Sequence, residues 1–230
     1  MEEEIRTAIK YLEYILIASV YAYHVELLFE IYNDVNLIFR PILTYLLLLS
    51  IFYYTILIKK SPGSLSDYSD LEARGICTKC MRLKSSRTFH CDACRKCYYK
   101  RDHHCPWIGK CVAAGNFREF YLFIGFLIIS ILSRIILPSV SSKIGFFHNY
   151  LCGFLIIFFI FVNFLVCIDR TSAEFNKNNQ SNSFIKYRSP WSKVDWQTYK
   201  QKLSKMLIDG NINNLWLIPF PFLIKKPRIV

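Results

Sequence analysis

The chain has 230 residues, 53% of them hydrophobic and 17% aromatic, a balance that fits a small bundle of membrane-crossing helices better than an ordinary soluble domain. Its formal net charge of +12 does not by itself call for a nucleic-acid partner. A basic cytosolic face beside anionic lipid headgroups accounts for it, because juxtamembrane Lys and Arg are drawn to that surface.

In chain order, the acidic start "MEEE" lacks the basic n-region and the small-residue cleavage site of a signal peptide, so the first apolar segment is expected to stay in place. That segment, from Tyr11 to Tyr32, is interrupted by Glu13, His24, Glu26 and Glu30. A charge at mid-bilayer depth is costly unless it is paired or faces a cavity, so it reads as the weakest span. Residues 37 to 58, with one arginine at Arg40, are long enough for the roughly 20 residues a crossing helix needs. So are 119 to 138, carrying Arg134, and 146 to 167, carrying His148 and Asn163.

Of the 29 Lys and Arg residues, 13 lie between Lys59 and Arg118 and 11 between Arg170 and the C-terminus. By the positive-inside rule the middle loop, the tail and the N-terminus are cytosolic. The expected fold is therefore an α-helical polytopic membrane protein, with four transmembrane helices and a cytosolic Cys-rich domain between helices 2 and 3. Its expected units are residues 1–58, 59–118, 119–168 and 169–230. Nothing repeats beyond this 2+2 layout. "NKNNQSNS" at 176 to 183 reads as a flexible loop, and the sequon at Asn179 is expected to go unused on the cytosolic side. "WLIPFPFLI", within the aromatic-rich stretch from Trp191 to Phe222, is too short and too broken by proline to span, so Trp216 and Phe220 read as interfacial anchors.

Seven of the nine cysteines, Cys77, Cys80, Cys91, Cys94, Cys97, Cys105 and Cys111, fall in the middle loop with His90, His103 and His104. Cys152 and Cys167 sit in the last span as packing or acylation residues. A cytosolic loop is reducing, so Cys77-x-x-Cys80, Cys91-x-x-Cys94 and Cys94-x-x-Cys97 read as metal grips and not as disulfides. The loop holds ten candidate ligands, and two closed tetrahedral zinc sites use eight. Neighbouring side chains in an extended backbone point to opposite sides, so His90 and Cys91 should serve different zincs, and His103 and His104 should not share one. If His104 is a ligand, His103 and Cys105 project together the other way. Pro106 favours that extended geometry, whereas in a helix positions two apart would not meet. Asp102 could then orient His103, giving an acid, base and thiol series. An all-structural metal cluster remains the other reading of the spacing.

The arrangement resembles the DHHC family of protein S-acyltransferases, the palmitoyltransferases. The residues that carry the resemblance are Cys77 and Cys80, His90-Cys91, Cys94, Cys97, Asp102-His103-His104-Cys105, Cys111, Asn116 and Phe120. It implies Cys77, Cys80, His90 and Cys97 on one structural zinc and Cys91, Cys94, His104 and Cys111 on a second. Asp102, His103 and Cys105 are left for catalysis. The chain departs from the family pattern at Lys84-Ser85-Ser86-Arg87, at Phe89, at Ser61-Pro62-Gly63 and at Thr171-Ser172-Ala173-Glu174. These departures touch neither the ligands nor the tetrad.

The activity so implied is transfer of a long-chain acyl group from acyl-CoA, such as palmitoyl-CoA, to Cys105 and then to a cysteine of a substrate protein. A free thiol is mostly protonated at neutral pH, so His103 is expected to take its proton. Trp107 suits the interface beside the nucleophile. Lys84 and Arg87, with Arg95, Lys96, Lys100 and Arg101, are candidate cations for the CoA phosphates. Asn116 and Glu174 are expected to make buried polar contacts between loop, tail and spans. Expected partners are membrane lipids, substrate proteins with cytosolic cysteines and an accessory subunit. Nucleic acid is not expected, since no recognition helix with finger spacing is present. The expected site is an endomembrane, endoplasmic reticulum or Golgi, with the catalytic loop facing the cytosol. The competing reading is a membrane-anchored zinc scaffold that catalyses nothing.

Overall fold

The apolar runs become helices and the cysteine-rich segment becomes three short hairpins. The structure is a computed structural model describing residues 2–63, 75–136, 146–167, 170–180 and 201. Its elements are helices α1 (Glu2–Asp34) and α2 (Arg40–Lys59), strands β1 (Ile76–Cys77), β2 (Arg82–Leu83), β3 (Thr88–Cys91), β4 (Lys96–Tyr99), β5 (His103–Cys105) and β6 (Lys110–Val112), and helices α3 (Phe117–Ile136), α4 (Phe146–Cys167) and α5 (Ser172–Gln180). A 3-10 turn, Pro106–Ile108, joins β5 to β6. The pairs β1-β2, β3-β4 and β5-β6 are separate antiparallel hairpins. The expected anchors Trp216 and Phe220 lie outside the described residues.

Among the described residues, three stretches are long and apolar enough to cross a membrane by length and composition: Glu3–Asp34, Arg40–Lys59 and Asn149–Val166. The fourth apolar helix, α3, is the most enclosed. Phe120 to Ile124, Phe126 to Ile128, Ser130 and Ile131 are all buried, as expected of a helix that is apolar all round. α2 packs most extensively on α3, burying Leu43, Leu47, Ser50, Tyr53, Tyr54 and Leu57, a helical stripe. Pro41 stands at the start of α2, where its fixed φ suits the first turn and its missing N–H costs nothing.

The first helix differs from expectation. At 33 residues α1 is about 50 Å long, well beyond the roughly 30 Å hydrocarbon core, so its two ends need not lie at bilayer depth. Two of the interrupting polar residues, His24 and Glu13, meet partners outside their own helix. His24 is fully buried, with Nδ1 2.8 Å from the Val20 carbonyl and Nε2 2.9 Å from Ser50 Oγ on α2. Glu13 reaches the hairpins. Further polar ties bind the helices, Tyr21 Oη to Thr55 Oγ1 at 3.0 Å and Tyr121 Oη donating to Asn163 Oδ1 at 2.7 Å.

The expected loop at 176 to 183 also differs, because its first residues belong to α5. Thr171 and Glu174 form a capping box. The Glu174 amide donates to Thr171 Oγ1 at 3.3 Å, and the Thr171 amide to Glu174 Oε2 at 2.9 Å. Phe175 then packs edge-on against Phe161 and Phe164 of α4.

The hairpins are clamped to the helix ends at several points. The Gly115 amide donates to the Pro62 carbonyl at 2.9 Å, and Tyr54 Oη to the Trp107 carbonyl at 2.6 Å. Lys110 of β6 donates to the Ile58 carbonyl at the end of α2, and Lys60, just after α2, ties that end to α3 by pairing with buried Glu119 at 2.8 Å. Gly115 is obligatory, since a Cβ there would lie 2.6 Å from the Pro62 carbonyl carbon.

Candidate active site and metal centres

Each centre takes two cysteines from the turn of one hairpin and a His/Cys pair from the strands of the next. Cys77 and Cys80 sit at the β1-β2 turn, and the β3-β4 register places His90 opposite Cys97. These four residues hold their ligand atoms within 4.8 Å of one another. Cys91 and Cys94 sit at the β3-β4 turn, and the β5-β6 register places His104 opposite Cys111. These four converge in the same way. The vicinal residues His90 and Cys91 therefore serve different clusters, as alternation along β3 requires.

Both clusters fit a tetrahedral soft metal. Cys80 Sγ is 3.7 Å from Cys97 Sγ, and Cys94 Sγ is 3.8 Å from Cys111 Sγ, close to the edge of a tetrahedron built on metal–sulfur bonds of about 2.3 Å. Each imidazole turns Nδ1 inward, 3.1 Å from Cys80 for His90 and 3.3 Å from Cys94 for His104. The thiols also conflict electrostatically. The Cys80 amide pulls Cys77 down to about 7, while burial, and then the Cys77 and Cys80 sulfurs, push Cys97 up to about 12. Three thiolates cannot share the space without a cation among them, and a divalent metal removes the conflict.

The three turns are versions of one unit. Cys77, Cys91 and Cys105 follow one another at intervals of 14 residues, as do Cys80, Cys94 and Ile108, then His90 and His104, and Cys97 and Cys111. The backbone repeats too. Met81, Arg95 and Gly109, four residues after each leading cysteine, have φ of 53°, 51° and 62°. The leading cysteines pair in register with Arg82, Lys96 and Lys110. This repeat was legible at a 14-residue offset, yet the reading of 2+2 symmetry alone missed it. Its consequence is chemical. In the third turn Ile108 replaces the second cysteine, Arg118 and Gly125 stand 14 residues after His104 and Cys111, and Cys105 is left outside both clusters.

Cys105 and His103 share the face of β5 opposite His104. His103 Nδ1 donates to Asp102 Oδ2 at 2.8 Å, and Cys105 is near enough to favour the charged form of its ring. Burial opposes charge on this imidazole, but Asp102 and Cys105 outweigh it and push its pKa up to about 9. Phe120 and Phe158 pack edge-on around the ring. Cys105 itself is 7% exposed and belongs to the apolar core with Tyr54, Phe120 and Phe123. Asp102 is 4% exposed and also accepts from the Ser172 amide at 2.6 Å and Ser172 Oγ at 3.0 Å.

Arg87, a candidate phosphate cation, donates through two nitrogens to Glu174, Nε to Oε1 at 2.6 Å and Nη2 to Oε2 at 3.0 Å, tying the hairpins to α5. Such a bidentate pair is among the stronger hydrogen-bonded contacts. Glu174 thus links loop and tail. Asn116, fully buried, bonds only local backbone in the contacts described, taking the Ala113 amide and donating to the Cys111 carbonyl, and so shapes the loop that carries Cys111. Trp107 is half exposed and Lys84 partly so. Sequence reasoning missed Glu13 and Ser172, both remote in the chain from the residues they touch.

Residues 71–144 match the family described as DHHC palmitoyltransferase. Among similar proteins, "Probable protein S-acyltransferase 12" of Arabidopsis thaliana is 28% identical over 169 residues, covering 68% of this chain and 57% of that protein. "Palmitoyltransferase akr1" of Schizosaccharomyces pombe is 52% identical over 48 residues, 21% of this chain and 8% of that one. "Palmitoyltransferase ZDHHC17" of Homo sapiens is 41% identical over 73 residues, 32% of this chain and 12% of that one. The chain thus spans about half the length of the first and a small part of the other two. The hairpins, their two Cys/His clusters and the helix that follows all lie within the segment that matches the DHHC palmitoyltransferase family.

Proposed function

We propose that the protein is a protein-cysteine S-acyltransferase working in two steps through an acyl group on Cys105. One observation carries this reading: Cys105 stands outside both metal clusters, two residues along the strand from a histidine whose Nδ1 is held by a buried aspartate. A thiol needed only for folding has no use for an oriented base. His103 takes the Cys105 proton, and the sulfur attacks the thioester carbonyl of a long-chain acyl-CoA. The carbonyl–sulfur bond to CoA breaks, and the CoA thiolate leaves with the proton from the imidazolium. A cysteine of a substrate protein then gives its proton to His103, attacks the acyl-Cys105 thioester and regenerates the thiol.

Cys77, Cys80, His90 and Cys97, and Cys91, Cys94, His104 and Cys111, would hold two zinc ions. Four protein ligands leave no position for water, so the metal supplies folding and not chemistry. The apolar neighbours Tyr54, Phe120 and Phe123 support an acyl tail lying among the helices, where each buried CH₂ contributes about 0.8 kcal/mol. Trp107 and Lys84 are the proposed contacts at the headgroup side. We read α3 as the third of four spans, with the hairpins and tail in the cytosol on an endomembrane, and substrate proteins and lipids as partners.

The test is purified protein with an alkyne-tagged long-chain acyl-CoA, followed by hydroxylamine. Hydroxylamine-labile label on the wild type, absent from Cys105→Ala, supports the reading. A zinc-loaded, folded wild type that takes no label favours the scaffold.

A further inference from the structure

His104 turns Nδ1 toward the thiols of the second cluster and Nε2 outward, and the outward nitrogen lies 2.8 Å from Glu13 Oε1. Glu13 belongs to α1, 91 residues earlier in the chain. Its side chain is 13% exposed, so the contact is sheltered from solvent. The approach depends on the turn after Cys105. A Cβ on Gly109 would lie 3.5 Å from Ile17 Cδ1 and 3.6 Å from Glu13 Oε2, so these α1 side chains cover Gly109 directly. In the first cluster the outward nitrogen of His90 is 3.6 Å from Asp92 Oδ1, a carboxylate 76% exposed and also bonded to Lys79.

We propose that Glu13 is a positioning residue for the second metal centre: it accepts the Nε2 hydrogen of His104, fixes the tautomer that presents Nδ1 to the metal, and so links metal retention to the docking of α1 on the hairpins. The proposal rests on the reading of the clusters as zinc sites. A carboxylate behind a ligating imidazole fixes its orientation and raises its basicity, and removing such a partner typically costs about 10–100-fold in metal affinity. The exposed, shared Asp92 gives the first centre no comparable support, so the second centre should be the slower to empty.

The test uses the full chain in detergent micelles, zinc counted by elemental analysis and release followed with a chromogenic chelator. Cysteines freed in each phase are alkylated and identified by mass spectrometry. In the wild type, Cys77, Cys80 and Cys97 should be freed first and Cys91, Cys94 and Cys111 last. Glu13→Ala should speed the late phase by about 10–100-fold and leave the early one unchanged. Glu13→Gln, which keeps an accepting oxygen without charge and the size of the side chain, should fall between. Ile17→Ala, which trims the Gly109 contact and spares the carboxylate, should leave both phases as in the wild type. Unchanged late release in both Glu13 variants overturns the proposal, as does equal acceleration by Ile17→Ala, which would reduce the contact to packing. Wild type that carries no zinc would overturn the two-centre reading itself, and the proposal with it.

Discussion

Ser172 and Asp102, 70 residues apart in the chain, are joined by two hydrogen bonds, amide to Oδ1 at 2.6 Å and Oγ to Oδ2 at 3.0 Å. The start of α5 thus helps hold the acid that orients His103. Ser172→Ala keeps the backbone bond and loses the hydroxyl. A hydrogen bond of this kind contributes about 0.5–1.5 kcal/mol, so acyl-enzyme formation should fall about 2- to 10-fold while metal content stays the same. Single-turnover labelling beside elemental analysis checks both halves, and loss of metal together with rate would show that the contact serves folding.

His103 should be needed for rate and not for structure. A positioned general base contributes about 10²–10⁴-fold, and His103→Ala is expected to slow Cys105 acylation by that factor with the hairpins intact. Asp102→Asn removes the partner that raises the imidazole while leaving its burial, so His103 should ionise at lower pH than its present value of about 9. The limb of the pH–rate profile that belongs to this base should then move toward acid. A limb that stays in place would mean that another group governs it.

Gly115 admits no side chain. With a Cβ placed 2.6 Å from backbone atoms of Pro62, Gly115→Ala must separate the hairpins from the end of α2. Overpacking typically costs about 1–3 kcal/mol, and here the obstacle is backbone, which cannot rotate away. Thermal melts in detergent should show lower stability, whereas the adjacent Ala114→Gly, at an exposed position, should change little.

Metal removal should unfold the hairpins and spare the helices. Cys111→Ser is expected to lose the second metal, and strong chelation both, with new protease cleavage between residues 75 and 115. Helical circular dichroism should persist, because the hairpins depend on metal where the helices depend on burial. Acylation should vanish with the metal and return on adding zinc. Acylation that survives complete chelation would contradict a structural role for the clusters.

The cysteine loop was legible because its information is local. CxxC spacing, the extended residue before Pro106 and alternation along short strands set His103 and Cys105 together if His104 is a ligand, and the resemblance implied the two full ligand sets. The 14-residue repeat was equally present and gives the reason Cys105 is unliganded: it leads a unit whose later ligands are missing. Apolar runs near 20 residues marked α2, α3 and α4 to within a few positions, since helix length is tied to bilayer thickness, whereas α1 begins nine residues before the expected run. The charges in the first run were harder to place. Nothing local distinguishes Glu13, which meets His104, from Glu26, which is exposed.

Sequence alone therefore determined the chemistry on offer, ten candidate metal ligands in one loop with an acid, a base and a thiol side by side, because each depends on residues a few positions apart. Tertiary structure decided what supports that chemistry. Ser172 on Asp102, Glu13 on His104, Glu174 on Arg87 and Pro62 against Gly115 join segments that are distant along the chain. Such contacts exist only once the helices have packed and brought their ends to the same face, and no periodicity along the chain encodes them.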